Sequence, residues 1–400
     1  MKEYIKRPHY LKKIAPFIDK NVIKVITGQR RVGKSYFLYQ VMDQLKEKNP
    51  NVKIIYINKE LYEFDHIKDY HDLVNYVQAN KTKNFKNYIF IDEIQDIHQF
   101  EKALRNFQAE GTYDIYCTGS NANLLSGDLA TYLSGRYIEL KLLSLSYPEF
   151  LEFHKLENTQ DTLFTYLKYG GLPYLIHLTL EDSIVYDYLR NVYNTILLKD
   201  VVTRYQVRNV SFLENLVKFL ADNIGNFLSA KRISDFLKSQ KINISPNIVL
   251  NYLNYLVSAF FIFKVQRSEI LGKKIFEIGE KYYFEDLGLR HIAISFQQRD
   301  INKVLENLVI SHLFVSGYDV TVGKMGNKEI DFVGKKNGEK LYVQVTYLIP
   351  DETTWQREFG NLLEIKDNFP KIVVSMDEMI GKQYQGIQHY HIREFLSDYR

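Results

Sequence analysis

Val22-Ile23-Lys24-Val25-Ile26-Thr27-Gly28-Gln29-Arg30-Arg31-Val32-Gly33-Lys34-Ser35 opens on a β-branched run and breaks at a glycine. The run 22–27 reads as a short strand. Gly28 and Gly33 let the next turn form without side-chain obstruction. From Lys34 to Lys48 the pattern is helical, and Asn49-Pro50 closes it. Strand, glycine turn and helix in that order build a loop whose successive N–H groups wrap phosphate, with the helix N-terminus facing the anion. Gly28, Gln29, Arg30, Arg31, Val32, Gly33, Lys34 and Ser35 are therefore expected to cradle ATP. Lys34 would reach the β- and γ-phosphates, and the Ser35 hydroxyl would bind Mg²⁺.

A second stretch supplies the acid such a loop needs. Tyr88-Ile89-Phe90-Ile91-Asp92-Glu93 is an apolar strand that delivers Asp92 at its tip, where it would hold Mg²⁺ through water. Glu93 is placed to orient and deprotonate an attacking water, the extra carboxylate that hydrolysis requires. The bland alternative is an Asp-Glu pair capping the following helix. Ile115-Tyr116-Cys117-Thr118-Gly119-Ser120-Asn121 is another strand ending in small polar residues. Its tip suits contact with the γ-phosphate or the water, Ser120 first and Asn121 second, against the reading of a plain turn. Arg136, in Ser134-Gly135-Arg136, stands just before a fifth strand. It is expected either to act on ATP held by a neighbouring subunit of a homo-oligomer or to be a surface arginine.

Around these motifs, residues 1–150 alternate strands (52–57, 88–91, 114–118, 137–143) with helices (73–78, 100–107). Such alternation implies an α/β domain with a parallel sheet covered on both faces. The length of 400 residues calls for two to four compact units. The 46% apolar and 25% charged composition is that of a soluble globular chain. A net charge of +4 neither requires nor opposes a nucleic-acid partner. Cys117 is the only cysteine, which excludes an intrachain disulfide and a cysteine zinc site and favours a reducing cytoplasm. The first residues lack the apolar core of a signal peptide. The apolar run near 255–263 is shorter than the ~20 residues of a membrane span, so no membrane role is expected.

Residues 151–208 read as a helical lid or linker, interrupted by Gly170-Gly171-Leu172-Pro173. In 209–292, helices at 229–237 and 245–257 and a strand pair at 261–266 and 274–278 outline a winged helix-turn-helix. Residues 229–281 hold nine basic residues (Lys231, Arg232, Lys238, Lys241, Lys264, Arg267, Lys273, Lys274, Lys281) against four acidic ones, a moderate footprint for DNA phosphates. Asn247, Asn251 and Asn254 on the second helix, without an arginine, suit weakly specific, backbone-dominated contacts. Packing or protein contacts are the alternative use.

These motifs are similar to the AAA+ branch of P-loop ATPases. More closely, Gly28 to Ser35, Phe90-Ile91-Asp92-Glu93-Ile94-Gln95 and Thr118-Gly119-Ser120 resemble a large prokaryotic family of AAA-type ATPases, in which the core precedes a domain of unknown function. The resemblance continues through Tyr169-Gly170-Gly171-Leu172-Pro173, Leu198-Lys199-Asp200-Val201-Val202 and Lys281-Tyr282-Tyr283-Phe284-Glu285-Asp286-Leu287-Gly288-Leu289. It implies ATP with Mg²⁺ as cofactors and a winged helix in the tail. The last part, 293–400, is similar to the PD-(D/E)xK, restriction-endonuclease-like fold: a helix with Glu306, a strand with Asp331, then a strand with Gln344 and Thr346. Gln344 replaces an acid and Thr346 a lysine, so a nuclease-like domain kept for binding or packing is expected. An ATPase acting on DNA is thus the leading expectation. The others are an ATP-gated metal-dependent nuclease and an ATP-driven regulator with a protein-binding tail.

Overall fold

A computed structural model describes residues 4–125, 133, 135–270, 279–378 and 383–398. The chain forms two compact units, residues 1–143 with 258–260, and residues 144–257 with 261–400.

In the first unit, helix α1 (Pro8–Ile14) precedes β1 (Ile23–Thr27), α2 (Lys34–Lys48), β2 (Val52–Asn58), α3 (Tyr70–Asn80), β3 (Lys86–Asp92), α4 (Phe100–Glu110), β4 (Tyr113–Gly119) and β5 (Tyr137–Lys141). The strands make a wholly parallel sheet in the order β2-β3-β4-β1-β5. This is the α/β core expected of an AAA+-like P-loop protein. Strand alternation sends Ile23, Val25, Ile55, Ile57, Ile89, Ile91, Ile115 and Cys117 to one face, against Leu73 and Val77 of α3 and Leu104 and Phe107 of α4. Both faces are covered, which explains why these strands are apolar almost throughout. Lys24, buried in β1, departs from this. Its ammonium pairs with Asp114, whose carboxylate also accepts from Tyr116 Oη at 3.0 Å and the Asp19 N–H at 2.8 Å.

The second unit begins with α5 (Tyr147–His154), α6 (Gln160–Tyr169) and α7 (Asp182–Thr195), which runs on into a π-helical stretch, Ile196–Thr203. Two of the sequence motifs meet here: the Asp286 carboxylate accepts from the Gly171 N–H at 2.8 Å and from the Leu289 N–H at 3.1 Å, capping the helix that starts at Leu287. A Cβ on Gly170 would lie 2.4 Å from Asp286, so only glycine fits this joint. Helices α8 (Val210–Asp222), α9 (Ala230–Ser239) and α10 (Pro246–Ser258) follow, then β6 (Ile262–Glu269), β7 (Glu280–Phe284), α11 (Leu287–Ile294) and α12 (Ile301–Val315). Strands β8 (Asp319–Met325), β9 (Lys328–Lys336), β10 (Glu339–Val345), β11 (Lys371–Ser375), β12 (Gln383–Tyr384) and β13 (Ile387–His391) and helix α13 (Ile392–Asp398) complete it. One eight-stranded mixed sheet runs β12-β13-β11-β10-β9-β8-β6-β7.

The strand expected at 274–278 lies outside the described residues. Among those described, β6 pairs antiparallel with β7 and its end, Arg267–Glu269, pairs parallel with β8. The strand pair after α10 is thus the edge of the C-terminal sheet. Among the described residues, no helix is long and apolar enough to cross a membrane.

Candidate functional site

The tips of β1, β4 and β3 stand side by side and carry the polar residues of the first unit. Gly28 leaves β1 at φ 150°, and a Cβ there would lie 2.2 Å from the Leu142 carbonyl oxygen. Gly33, at φ 92°, caps the N-terminus of α2. The turn between them presents main-chain N–H groups and the positive end of α2 to one opening. Lys34 is buried and donates to the carbonyls of Gly28 and Gln29, each at 3.1 Å, with Glu93 at 3.5 Å. Arg30, also buried, lies 3.4 Å from Glu60. Val32 is buried and Arg31 is exposed at φ 73°.

Asp92 ends β3 with its carboxylate bonded to the hydroxyls of Ser35 and Thr118. Burial raises its pKa, and these two hydroxyls oppose the rise. Glu93 follows at φ 56°, its N–H donating to Thr118 Oγ1 at 2.9 Å. Burial alone would raise its pKa, but Lys34, Gln95 and Arg30 overcome that and lower it to about 2. The Ser120 hydroxyl, hydrogen-bonded to Glu93, adds to this lowering. Asn121 is buried next to it. The structure therefore brings Lys34, Ser35, Asp92, Glu93 and Ser120 together. Thr118, which donates to Asp92 and accepts from the Glu93 N–H, and Gln95, whose amide donates to Glu93 at 2.5 Å, stood in the sequence motifs without an assigned role. The β3–β4 register, with Ile91 opposite Cys117, is what puts Thr118 beside Asp92.

Arg136 is not part of this group. Its carbonyl accepts from the Ile23 N–H at 2.9 Å, at the start of β1, whereas the P-loop leaves the end of β1. At ~3.3 Å per residue, the strand separates the two by well over 10 Å. The exposed Arg136 lines a surface cleft of about 630 Å³ with Tyr70, His71, Lys102, Arg105 and Asn106.

In the second unit, α9 is capped by Ser229, whose hydroxyl accepts from the Arg232 N–H at 3.2 Å, and Pro246 opens α10. Asn247, Asn251 and Asn254 are exposed on α10 at a spacing that shares one helix face. Lys231, Arg232, Lys238, Lys241 and Lys264 are exposed. Lys273 and Lys274 lie outside the described residues. Lys281, counted above with the basic footprint, is a correction: it is 3% exposed and faces inward.

Its target is the acidic cluster around Glu306 and Asp331. Lys281 Nζ lies 2.6 Å from Glu329 and 3.7 Å from Glu306, over the Phe227 ring at 5.4 Å. The Asp331 N–H donates to Gln344 Oε1 at 2.8 Å, and Gln344 Nε2 donates to Glu358 at 2.9 Å. Asp331 itself accepts from the Val345 N–H at 2.8 Å. Glu306, Asp331 and Gln344 thus share one buried site, and sequence reasoning missed Lys281 and Glu358 in it. Glu358 carries no motif. Lys281 stood out only as a charge before three aromatics. Burial, then the neighbouring carboxylates, holds the pKa of Asp331 well above the carboxylate range, and Glu306 is also raised. Lys281 is raised because Glu306, Asp331 and Glu329 outweigh its burial. Thr346 bonds Leu348 instead, at 3.3 Å. Among the described residues, no three His, Cys, Asp or Glu side chains are arranged to hold a metal ion.

Comparison with known proteins matches residues 20–151 to an AAA domain and residues 160–300 to a domain of unknown function (DUF8612). An uncharacterized protein of Haemophilus influenzae is 37% identical over 401 residues, 99% of each chain. An uncharacterized protein of Methanocaldococcus jannaschii is 33% identical, covering 84% of this chain and 77% of that one. Among solved structures, the Aeropyrum pernix ORC1 protein in complex with DNA is similar with a TM-score of 0.36 and 11% identity, over 73% of this chain and 93% of that one. The S. cerevisiae Hsp104–ADP complex gives a TM-score of 0.34 and 14% identity, over 64% and 40%.

Proposed function

Because the chain belongs to the AAA-domain family of P-loop ATPases, we propose that it binds ATP with Mg²⁺ and hydrolyses it, using Lys34, Ser35, Asp92 and Glu93. The observation that carries this reading is the position of Lys34, bound between two P-loop carbonyls and Glu93. Phosphate oxygens are better partners for an ammonium than neutral carbonyls. A bound β,γ-phosphate draws Lys34 away from Glu93, and the largest influence lowering the Glu93 pKa goes with it. Glu93, released from that ion pair, can then accept a proton from the attacking water. Ser35 and Asp92 would hold Mg²⁺, which when bound would neutralise charge on the phosphoryl oxygens. Thr118 fixes the Asp92 carboxylate and the Glu93 main chain, and the Ser120 hydroxyl beside Glu93 is offered to the γ-phosphate or the water. Arg136 faces away from this site and reaches ATP only across an interface between two copies.

The tail is read as a DNA-binding element. The exposed lysines and Arg232 of the α9–α10 region contact phosphates, and the asparagine row of α10 lies toward a groove. The nuclease-like site is read as non-cutting, because Gln344 and Thr346 stand for the acid and the lysine, and Lys281 is already spent on Glu306 and Glu329.

One steady-state ATPase assay with and without duplex tests these readings together, with Lys34→Ala as the blank. Turnover above the blank and a rise with duplex are expected. Turnover equal to the blank removes the ATPase reading, and indifference to duplex removes the DNA reading. In the assembled protein Arg136→Ala should retain ATP but lose about 10³-fold or more in turnover. Unchanged turnover would return Arg136 to a surface role.

A further inference from the structure

Residues 258–260 group with the P-loop unit, although the chain before and after them belongs to the other unit. They form the turn between the end of α10 and the start of β6. Phe260 takes φ 55°, a left-handed conformation that a ring-bearing residue rarely adopts and that persists only where surroundings fix it. Those surroundings are specific. Phe260 is buried, Lys141 Nζ stands 5.1 Å over its ring, and its carbonyl accepts from Gln29 Nε2 at 3.2 Å. Gln29 is fully buried, and its own carbonyl accepts from Lys34 Nζ at 3.1 Å. Gly28, just before it, is pinned against Leu142, next in the chain to the Lys141 that covers Phe260.

We propose that Phe260 is a positioning residue for the P-loop: through Gln29 it fixes one of the two carbonyls that hold Lys34, and it registers phosphate binding at the end of α10. This rests on the reading of the P-loop as an ATP site. When phosphate draws Lys34 away, the Gln29 carbonyl loses its donor and its peptide is released on that side. The Gln29 side chain carries the change to the Phe260 carbonyl. That residue is continuous in the chain with α10, which bears Asn247, Asn251 and Asn254, and with β6. A hydrogen bond between side-chain amide and main chain is suited to this, because it is directional and breaks with a small rotation of either partner.

The test uses the full chain, a non-hydrolysable ATP analogue with Mg²⁺, and amide-hydrogen exchange over residues 246–262, with analogue affinity measured separately by fluorescence. In the wild type, the analogue should change exchange in that segment at least severalfold. Gln29→Leu, which removes the donor, should weaken analogue binding about fivefold, the effect of one neutral hydrogen bond, and abolish the exchange response. Phe260→Gly suits φ 55° and should fold; it loses the ring under Lys141, binds the analogue and also loses the response. Phe260→Tyr, which keeps ring and carbonyl, should restore it. A wild type that binds the analogue without any exchange change overturns the proposal, as do variants that respond like the wild type. Failure of the wild type to bind the analogue at all removes the ATP-site reading itself, and this inference with it.

Discussion

Lys34 and Lys281 are both buried against carboxylates, yet they are held in different ways. Lys34 rests on two neutral carbonyls at 3.1 Å and one carboxylate at 3.5 Å, at the mouth of a helix N-terminus. Lys281 is held by Glu329 at 2.6 Å and Glu306 at 3.7 Å, inside an edge strand and against the Phe227 ring. An ammonium held by neutral oxygens exchanges them for a dianionic ligand at small cost. One that offsets the mutual repulsion of several clustered, partly buried acids leaves an uncompensated charge behind when it moves. The same pair of residue types therefore makes a site ready for a ligand in the first unit and a closed, structural one in the second.

The largest expected effect breaks the comparison on the P-loop side. Glu93→Gln should bind ATP and hydrolyse it about 10²- to 10⁴-fold more slowly, the range of a positioned general base; single-turnover hydrolysis with separately measured affinity checks this. Wild-type rates in that variant would reduce Glu93 to a helix-capping acid. Next, Lys281→Met should destabilise the second unit by about 1–3 kcal/mol, less than the loss of a fully buried ion pair because Glu329 is partly exposed, with nucleotide affinity unchanged. Urea unfolding measures it, and an unaltered midpoint would show that the cluster does not depend on its lysine.

The smallest effect separates the two sites by sign. Asp331 and Glu306 have raised pKa values in the folded chain, so their contribution to stability is present at low pH and is lost as pH rises through those folded values. Glu93 is lowered to about 2 from 4.5, so its contribution is present above 4.5 and is lost as pH falls toward 2. On acidification from neutral pH, hydrogen-exchange protection should therefore rise around β9 and β10 before it falls around the P-loop. Asp331→Asn should flatten the first response, and an unchanged response would remove Asp331 as its source.

Much of the first unit was legible because its determinants are local. A β-branched run, two glycines and a helix in succession specify the P-loop, and α2 begins and ends where the pattern of 34–48 places it. The apolar strand before Asp92 was equally plain, although β3 starts two residues earlier, at Lys86. Thr118 was hidden because its role depends on β4 lying between β3 and β1, a register that one strand's sequence does not carry. The C-terminal site was half legible for the same reason. Asp331 and Gln344 sit on paired strands in a familiar order, whereas Lys281 comes from a strand far back in the chain and Glu358 from a π-helical turn, Gln356–Gly360. Phe260 left no sequence signal, since a positive φ at a phenylalanine is imposed by its neighbours.

The shared strand β6 bears on how this protein could have been assembled over time. Its first half pairs with β7 and its end with β8, so hydrogen bonds tie the region after α10 to the last hundred residues. A recombination event that exchanged the chain beyond α11 would strip β8 from β6 and leave a raw strand edge, a template for aggregation. The two parts of the tail are therefore expected to be inherited together.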